Sequence, residues 1–266
     1  MIEQLRVQPG LRAGLTTRDT RETFGLDKAA GKAKRKELVE RLSVLQQRLY
    51  AEHERSLLLV LQGLDASGKD GVIRQVFTGL NPHGCRAVSF KAPTSTELAH
   101  DFLLRIHAAL PERGQIGIFN RSHYEDIVTV RMLGLVPEKV SKRRPRDVNA
   151  FERTLVDEGT TIVKVFLNVS KEEQAQRLQE RLDDPEKRWK FRKSDLETRK
   201  QFDQYVAAYD EAITATSKRR APWHVVPADR NWVKSLAVAT LLVNALERMD
   251  AKLPDPEPGI EGLKIV

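Results

Sequence analysis

The chain has 266 residues, 40% hydrophobic and 31% charged, enough for one large α/β domain or two small ones. Its 45 basic against 37 acidic residues leave a net charge of +8, which favours polyanionic partners: nucleic acid, an anionic membrane or a phosphate-rich small substrate. A single cysteine, Cys85, excludes an intrachain disulfide, and no run approaches the ~18 apolar residues of a membrane span.

The opening segment MIEQLRVQPGLRAG lacks the apolar stretch of a signal peptide. With the lone cysteine, this points to a reducing cytoplasm. Residues 1–27 show little periodicity and read as an irregular arm. From about Lys28 to Glu54, Leu38, Leu42, Leu45 and Leu49 recur at helical spacing and predict one apolar face. The cluster Lys32, Lys34, Arg35 and Lys36 at the start of that helix opposes its dipole, and reads as a solvated end or a ligand contact.

Leu57 to Leu61 then predicts a short buried strand. It runs into Gly63-Leu-Asp-Ala-Ser-Gly68-Lys69, a match to G-x-x-x-x-G-K, and Val72 to Phe77 continues as a helix. Strand, glycine loop and helix in that order make a phosphate loop. Glycines let backbone N–H groups turn toward one point, and the helix N-terminus adds partial positive charge there. Lys69 supplies a full charge for the outer phosphates. Two acids depart from the common pattern. Asp70 stands where Ser or Thr usually binds Mg²⁺, and Asp65 lies inside the loop. Asp65 either caps the helix or holds a cation against the phosphates.

Asn81 to Gly84 breaks the chain, and Arg86 to Phe90 predicts a second strand. Pro93-Thr94 opens a helix to about Leu110, with Thr94 and Glu97 as a capping box. Ile116 to Phe119 is a third strand, followed directly by Asn120-Arg121-Ser-His-Tyr-Glu125-Asp126. Thr161 to Asn168 is a fourth, and Ser170 with Glu173 starts a helix to about Leu182. Asp184-Pro185 ends it, and Ser194 with Glu197 caps the next. Trp223 to Val226 is the fifth strand and Leu236 to Leu246 a closing apolar helix. This alternation predicts a parallel sheet covered on both faces, with ligands gathered at the carboxyl ends of its strands.

A later strand of phosphate-loop enzymes usually ends in an acid that serves Mg²⁺. Here the strand ends in Asn120, so attention moves to Glu125 and Asp126. Arg121, at the strand tip, can fork onto phosphate oxygens or pair with one of those acids. His83 and His123 read as structural. The most basic stretch is Lys187-Arg-Trp-Lys190-Phe-Arg-Lys193, five cations and two aromatics in seven residues. It fits a mobile lid over phosphates, a surface for single-stranded nucleic acid, or a solvated loop. Arg181, on the preceding helix, belongs with the lid.

Taken together, GLDASGKDG, FNRSHYED and DDPEKRWKFRKSDLETR resemble the polyphosphate kinase 2 family, over about residues 30–250. FNRSHYED, with Asn120 and Glu125, looks like the branch that phosphorylates both AMP and ADP. Other members carry Asp at the strand end. The resemblance implies a phosphate-loop kinase fold, a three-layer α/β/α sandwich with a central five-stranded parallel sheet and a helical lid. It implies a single domain over 1–266: an arm and helix at 1–54, a core at 55–250 with the lid at about 171–200, and a tail at 251–266. The implied reaction moves phosphoryl groups from inorganic polyphosphate to AMP and ADP, giving ADP and ATP, with Mg²⁺ or Mn²⁺ as cofactor. Neither nucleic acid nor membrane is an implied partner, and members assemble as homodimers or homotetramers.

Carried onto this chain, Gly63, Ala66, Ser67, Gly68, Lys69, Asp70 and Gly71 would cradle phosphates. Asp65, Lys69, Arg121 and Arg181 would be catalytic, and Lys187 and Lys190 would add lid charge. Asn120 and Glu125 would meet the nucleotide, and Asp65 and Asp126 the metal. Two alternatives share the core: an ATP-dependent kinase, separated by exchanging the donor, and a nucleic-acid-binding ATPase, separated by salt-sensitive binding to DNA or RNA.

Overall fold

The structure, a computed structural model, describes residues 1–90 and 93–264. Seven consecutive buried residues make β1 (Ser56–Gln62) the middle of the sheet. It lies between β3 (Ile116–Asn120) and β4 (Thr160–Asn168), with β2 (Cys85–Ser89) outside β3 and β5 (Trp223–Pro227) outside β4. All four pairings are parallel, and the register sets Leu61 opposite Asn120 and Gln62 opposite Phe166. The carboxyl ends of β1, β3 and β4 therefore share one rim, which fixes where a ligand can meet residues from all three.

In chain order the helices are α1 (Ile2–Leu5), α2 (Lys28–Glu52), α3 (Lys69–Phe77), α4 (Ser95–Leu98), α5 (Leu104–His107), α6 (Thr129–Met132), α7 (Glu138–Asp157), α8 (Lys171–Asp183), α9 (Lys193–Lys200), α10 (Phe202–Thr216) and α11 (Asn231–Met249). Helix α11 packs against α2, α3 and β4 on one face of the sheet. On the other face Lys164 of β4 reaches Glu152 of α7 and the Thr216 carbonyl of α10. This is the expected three-layer arrangement. The basic start of α2 is solvated: Lys32, Lys34 and Lys36 are exposed, and Arg35 bonds to Gln75.

Four local expectations need correction. The helix expected from Pro93 to Leu110 is two short pieces, α4 and α5. The Thr94–Glu97 capping box forms, but Asp101 then accepts from the Leu103 N–H at 2.9 Å, a local bond that competes with helix continuation. Helix α9 begins earlier than expected, capped by Arg192 with Asp195 in place of Ser194 with Glu197. At α8 the Ser170 hydroxyl accepts from Glu173 as expected, but the Ser170 N–H turns to Asp229 Oδ1 at 2.8 Å. Helix α7 had no counterpart in the sequence reading. Its first half is highly charged and holds Pro145, while its apolar face of Val148, Phe151 and Leu155 appears only later. The arm is irregular beyond α1, yet it is packed: Leu5, Val7, Ala13 and Leu15 are buried, and the Val7 N–H reaches the Trp223 carbonyl at 2.8 Å. The last two residues of the expected tail lie outside the described residues.

Candidate active site

The loop between β1 and α3 is built by backbone geometry that few side chains tolerate. Gly63, Ala66 and Gly68 all have positive φ, and Ala66 does so at 62° despite its Cβ. A Cβ at Gly63 would meet the Leu167 carbonyl at 2.9 Å, and one at Gly68 would overlap the Lys234 ammonium. The N-cap of α3 is Gly68 with no side-chain cap, so Asp65 is not the helix cap. Lys69 is buried, and its Nζ donates to the carbonyls of Gly63 at 2.7 Å and Leu64 at 3.3 Å. Burial, then the nearby Arg121, lowers its pKa to about 8. The Ser67 hydroxyl is buried with no hydrogen-bond partner among the described residues.

Arg121 follows β3 in the left-handed region, φ 64°, and this turns its guanidinium across to the loop. Its Nη2 donates to Asp65 Oδ1 at 2.7 Å. Asp65 is thus the acid that Arg121 finds, in place of Glu125 or Asp126. Burial works against the Arg121 charge, but Glu125 and Asp65 outweigh it and raise its pKa. Asn120 Nδ2 donates to Asp70 Oδ1 at 2.7 Å, joining the tip of β3 to the start of α3. The Oδ2 atoms of Asp65 and Asp70 carry no hydrogen bond among the described residues. Two carboxylates and an amide oxygen on one rim fit a hard divalent cation of the Mg²⁺ kind, which completes its shell with water and substrate phosphate oxygens. No cluster of three or more acids, His or Cys occurs among the described residues, so an all-protein cage is not what this site offers.

Glu125 is held in place from three sides. Its Oε1 accepts from Gln62 Nε2 at 3.0 Å and from the Tyr209 hydroxyl at 3.4 Å, and its Oε2 from Thr129 Oγ1 at 2.6 Å. Asp126 corrects the sequence reading. It is buried between Arg105, at 3.1 Å, and Arg144, at 3.7 Å, so its carboxylate serves an internal ion pair and is not presented to a metal on the loop. His123 is buried beside Tyr124 and Phe151, as its structural reading implies.

The lid segment divides. Arg181 Nη1 lies 3.8 Å from Asp195 Oδ2. Burial first, and then the charge of Asp65, raises the Asp195 carboxyl. Lys187 and Lys190 are not brought to the loop. Lys187 pairs with Asp184 at 2.6 Å on the surface, and Lys190 stacks over the exposed Trp189 at 5.0 Å.

Residues 25–254 match the family model for polyphosphate kinase 2. The chain belongs to the polyphosphate kinase 2 family. It is 49% identical to the AMP/ADP-polyphosphate phosphotransferase of Meiothermus ruber over 266 residues, 99% of this chain and all of that one. It is 45% identical to the ADP-polyphosphate phosphotransferase of Rhodopseudomonas palustris, over 83% of this chain and 80% of that one. A crystal structure of polyphosphate kinase 2 from Arthrobacter aurescens superposes with a TM-score of 0.93 at 42% identity, covering 97% of this chain and 93% of that one.

Within this polyphosphate kinase 2 chain, several residues around the loop were not anticipated. Arg177 donates from Nη1 to the carbonyls of Ala66 and Ser67, and from Nη2 to those of Ala228 and Asp229. Lys234, buried on α11, donates to the Ser67 carbonyl at 2.8 Å, and burial lowers its pKa to about 7. Gln174 donates to the Asp65 carbonyl at 3.1 Å. These three hold the carbonyl side of the loop from behind; the Ser67 N–H bonds back to the Leu64 carbonyl at 3.1 Å, and the N–H groups of Gly68, Lys69 and Asp70 are left for the ligand. A signal existed for each cation. Lys234 is the one charge in the apolar run Trp232 to Val243, and Arg177 stands one turn before Arg181 on the same helix face.

Proposed function

We propose that this rim binds a terminal segment of inorganic polyphosphate and transfers its last phosphoryl group to AMP or ADP. The chain is a polyphosphate-dependent nucleotide kinase, and the reaction is reversible. One observation carries the site assignment. Lys69 is buried with backbone carbonyls as its hydrogen-bond partners, beside the Asp65–Arg121 pair, at the joint carboxyl ends of β1 and β3. A cation left this way awaits an anion.

The chemistry asks little of the side chains beyond placement. A P–O–P bond of the donor breaks as a nucleotide phosphate oxygen bonds to the same phosphorus. That oxygen is already ionised at neutral pH, so no general base has to remove a proton. The acids are accordingly occupied in positioning: Glu125 by Gln62, Thr129 and Tyr209, and Asp126 by two arginines. Lys69 and the loop N–H groups neutralise the donor phosphates. Arg121 orients Asp65 and shares its charge with the transferring group. Asp65 and Asp70 would hold a divalent cation, Mg²⁺ with Mn²⁺ as a substitute, which would supply positive charge against the phosphates. Glu125 and Asn120 meet the nucleotide side. The lid, about residues 171–200, closes Arg181 onto the phosphates and excludes water within a single domain whose core runs over 55–250.

A homodimer or homotetramer, working in the cytoplasm on polyphosphate and adenine nucleotides with no nucleic-acid or membrane partner, completes the reading. Among the described residues no helix is long and apolar enough to cross a membrane. The test is incubation of purified protein with AMP, Mg²⁺ and polyphosphate, followed by nucleotide chromatography. ADP and then ATP are expected. Their absence with polyphosphate, and appearance with an ATP donor, would replace this reading by an ATP-dependent kinase.

A further inference from the structure

At the opposite end of the sheet, a cavity of about 580 Å³ opens between α1, the first residues of β4, β5 and α11. Its size is that of a small-ligand pocket. Five arginines line it: Arg6, Arg55, Arg219, Arg220 and Arg248. Arg55 is paired with Glu52, and it caps the carbonyl of Met249 at 2.6 Å. The other four have no carboxylate partner among the described residues, and Arg6 Nε is buried with no hydrogen-bond partner at all. Glu3 is the one acid in the lining. His224, also in the wall, is pushed down to about 4 by burial, with Arg6 and Arg248 adding to the effect, so its ring stays neutral at ordinary pH. The floor is apolar, from Ile162, Val163, Leu241 and Met249.

Four unpaired guanidinium groups around one cavity repel one another unless an anion sits among them. Guanidinium forks match phosphate oxygens bidentately, and several forks at once select a ligand with several phosphates. The cavity is out of reach of the phosphate loop. Lys234 touches the loop near one end of α11, and Arg248 lines the cavity near the other, about 21 Å along the helix axis at the usual rise per residue.

We propose that this cavity is a second anion site that binds a chain of linked phosphates, separately from the reacting segment at Lys69. The chain is either inorganic or esterified to a nucleoside, whose base would rest on the apolar floor. The proposal stands on the cavity and its arginines and does not depend on which donor the loop uses.

Calorimetric titration of the whole protein with tripolyphosphate, too short to span both sites, tests it. Two binding events are expected for the parent protein. Arg219→Glu with Arg220→Glu changes exposed turn residues far from the loop, and should remove one event or weaken it about tenfold or more, leaving turnover with tripolyphosphate unchanged. Lys69→Ala should remove the other event. A parallel titration with ATP distinguishes the sources: an additional gain in affinity over tripolyphosphate at the arginine site assigns a nucleotide, and no gain assigns an inorganic chain. A single event in the parent, or two undiminished events in the charge-reversed variant, overturns the proposal. Loss of kinase activity with polyphosphate in the parent would overturn the functional reading instead, and leaves the count of binding events to judge this one.

Discussion

Two buried lysines, Lys69 on α3 and Lys164 on β4, sit in the same molecule with opposite surroundings. Lys164 is fully buried, and its ammonium donates to Glu152 at 2.6 Å, to the Tyr124 hydroxyl at 2.9 Å and to the Thr216 carbonyl at 2.8 Å. Its charge is answered inside the fold. Lys69 is also buried, but its hydrogen bonds go to two carbonyls, and its nearest charges include the repelling Arg121. The difference separates structure from function. A buried charge paired by its own chain fixes packing, whereas one left to carbonyl dipoles marks the place where the ligand completes the pairing.

The comparison breaks most sharply under substitution to methionine, which keeps length and removes charge. Lys69→Met should lower kcat on the order of 10³-fold with little change in unfolding free energy. Lys164→Met should do the reverse. It strands Glu152 in the core and should cost ~3–5 kcal/mol of stability, while any folded protein keeps its turnover. Adding Glu152→Gln to Lys164→Met should restore part of that loss. Denaturant melts beside steady-state rates read both. If Lys69→Met keeps its activity, the loop is not the transfer site.

Asp65 extends the contrast to an acid. Asp65→Asn keeps the shape and a partner for Arg121 but removes the charge proposed to hold a cation, so kcat should fall on the order of 10²-fold. Extra Mn²⁺ should not rescue it fully. The same change at Asp126 removes the charge that faces Arg105 and Arg144 in the interior and should show first as a lower Tm.

Much of this contrast was legible before the structure. Gly63 to Lys69 between an apolar strand and a helix names a phosphate loop by local pattern alone, and the five strands alternate with helices in a way that dictates a parallel sheet. Asp126 was misread because adjacency in sequence does not say which way a side chain leaves the chain. Glu125 turns to Gln62 on the rim and Asp126 to Arg105 and Arg144 below it. Arg177 and Lys234 stand out locally as cations, but their bonds to the loop, like that of Gln174, span 109 to 167 positions, so their target is a tertiary fact. Helix α7 was hidden by Pro145 in a stretch whose apolar face begins only at Val148.

The pH response sharpens the comparison with a smaller effect. Lys69 has a pKa of about 8 in the ligand-free fold against an ordinary 10.5. Phosphates favour its charged form and raise that value, so binding takes up a proton above about pH 8. Affinity for tripolyphosphate at the loop should therefore fall as pH rises past about 8, by at most about tenfold per unit. The ligand-free protein runs the other way. A native pKa below the unfolded value means that the unfolded chain binds more protons between about 8 and 10.5, so this residue's contribution to stability rises with pH across that window. Lys69→Met should flatten both trends. Unchanged pH profiles in that variant would assign them to other groups, with Lys234, at about 7, the next to test.

The smallest effects belong to the lid, and there the structure splits what the sequence grouped. Arg181 lies 3.8 Å from Asp195, whose carboxyl is raised by burial first and then by the charge of Asp65, which makes Arg181 the lid cation proposed to meet the phosphates. Lys187 is engaged by Asp184 and Lys190 by Trp189, both on the outer surface. A contact made only on closure favours the transition state over the ground state, so Arg181→Ala should lower kcat about tenfold or more. Arg181→Lys should fall between, since lysine keeps the charge but loses the fork. Lys187→Ala with Lys190→Ala should leave kcat within about threefold and act on encounter instead, by weakening the long-range attraction for a polyanion. Its mark is a shallower rise of the polyphosphate KM with salt. Rates at two salt concentrations, with AMP saturating and polyphosphate varied, separate the two roles. Equal losses of kcat in Arg181→Ala and in the double lysine variant would mean that the whole segment rearranges on closure, and that the outward lysines travel with it to the loop.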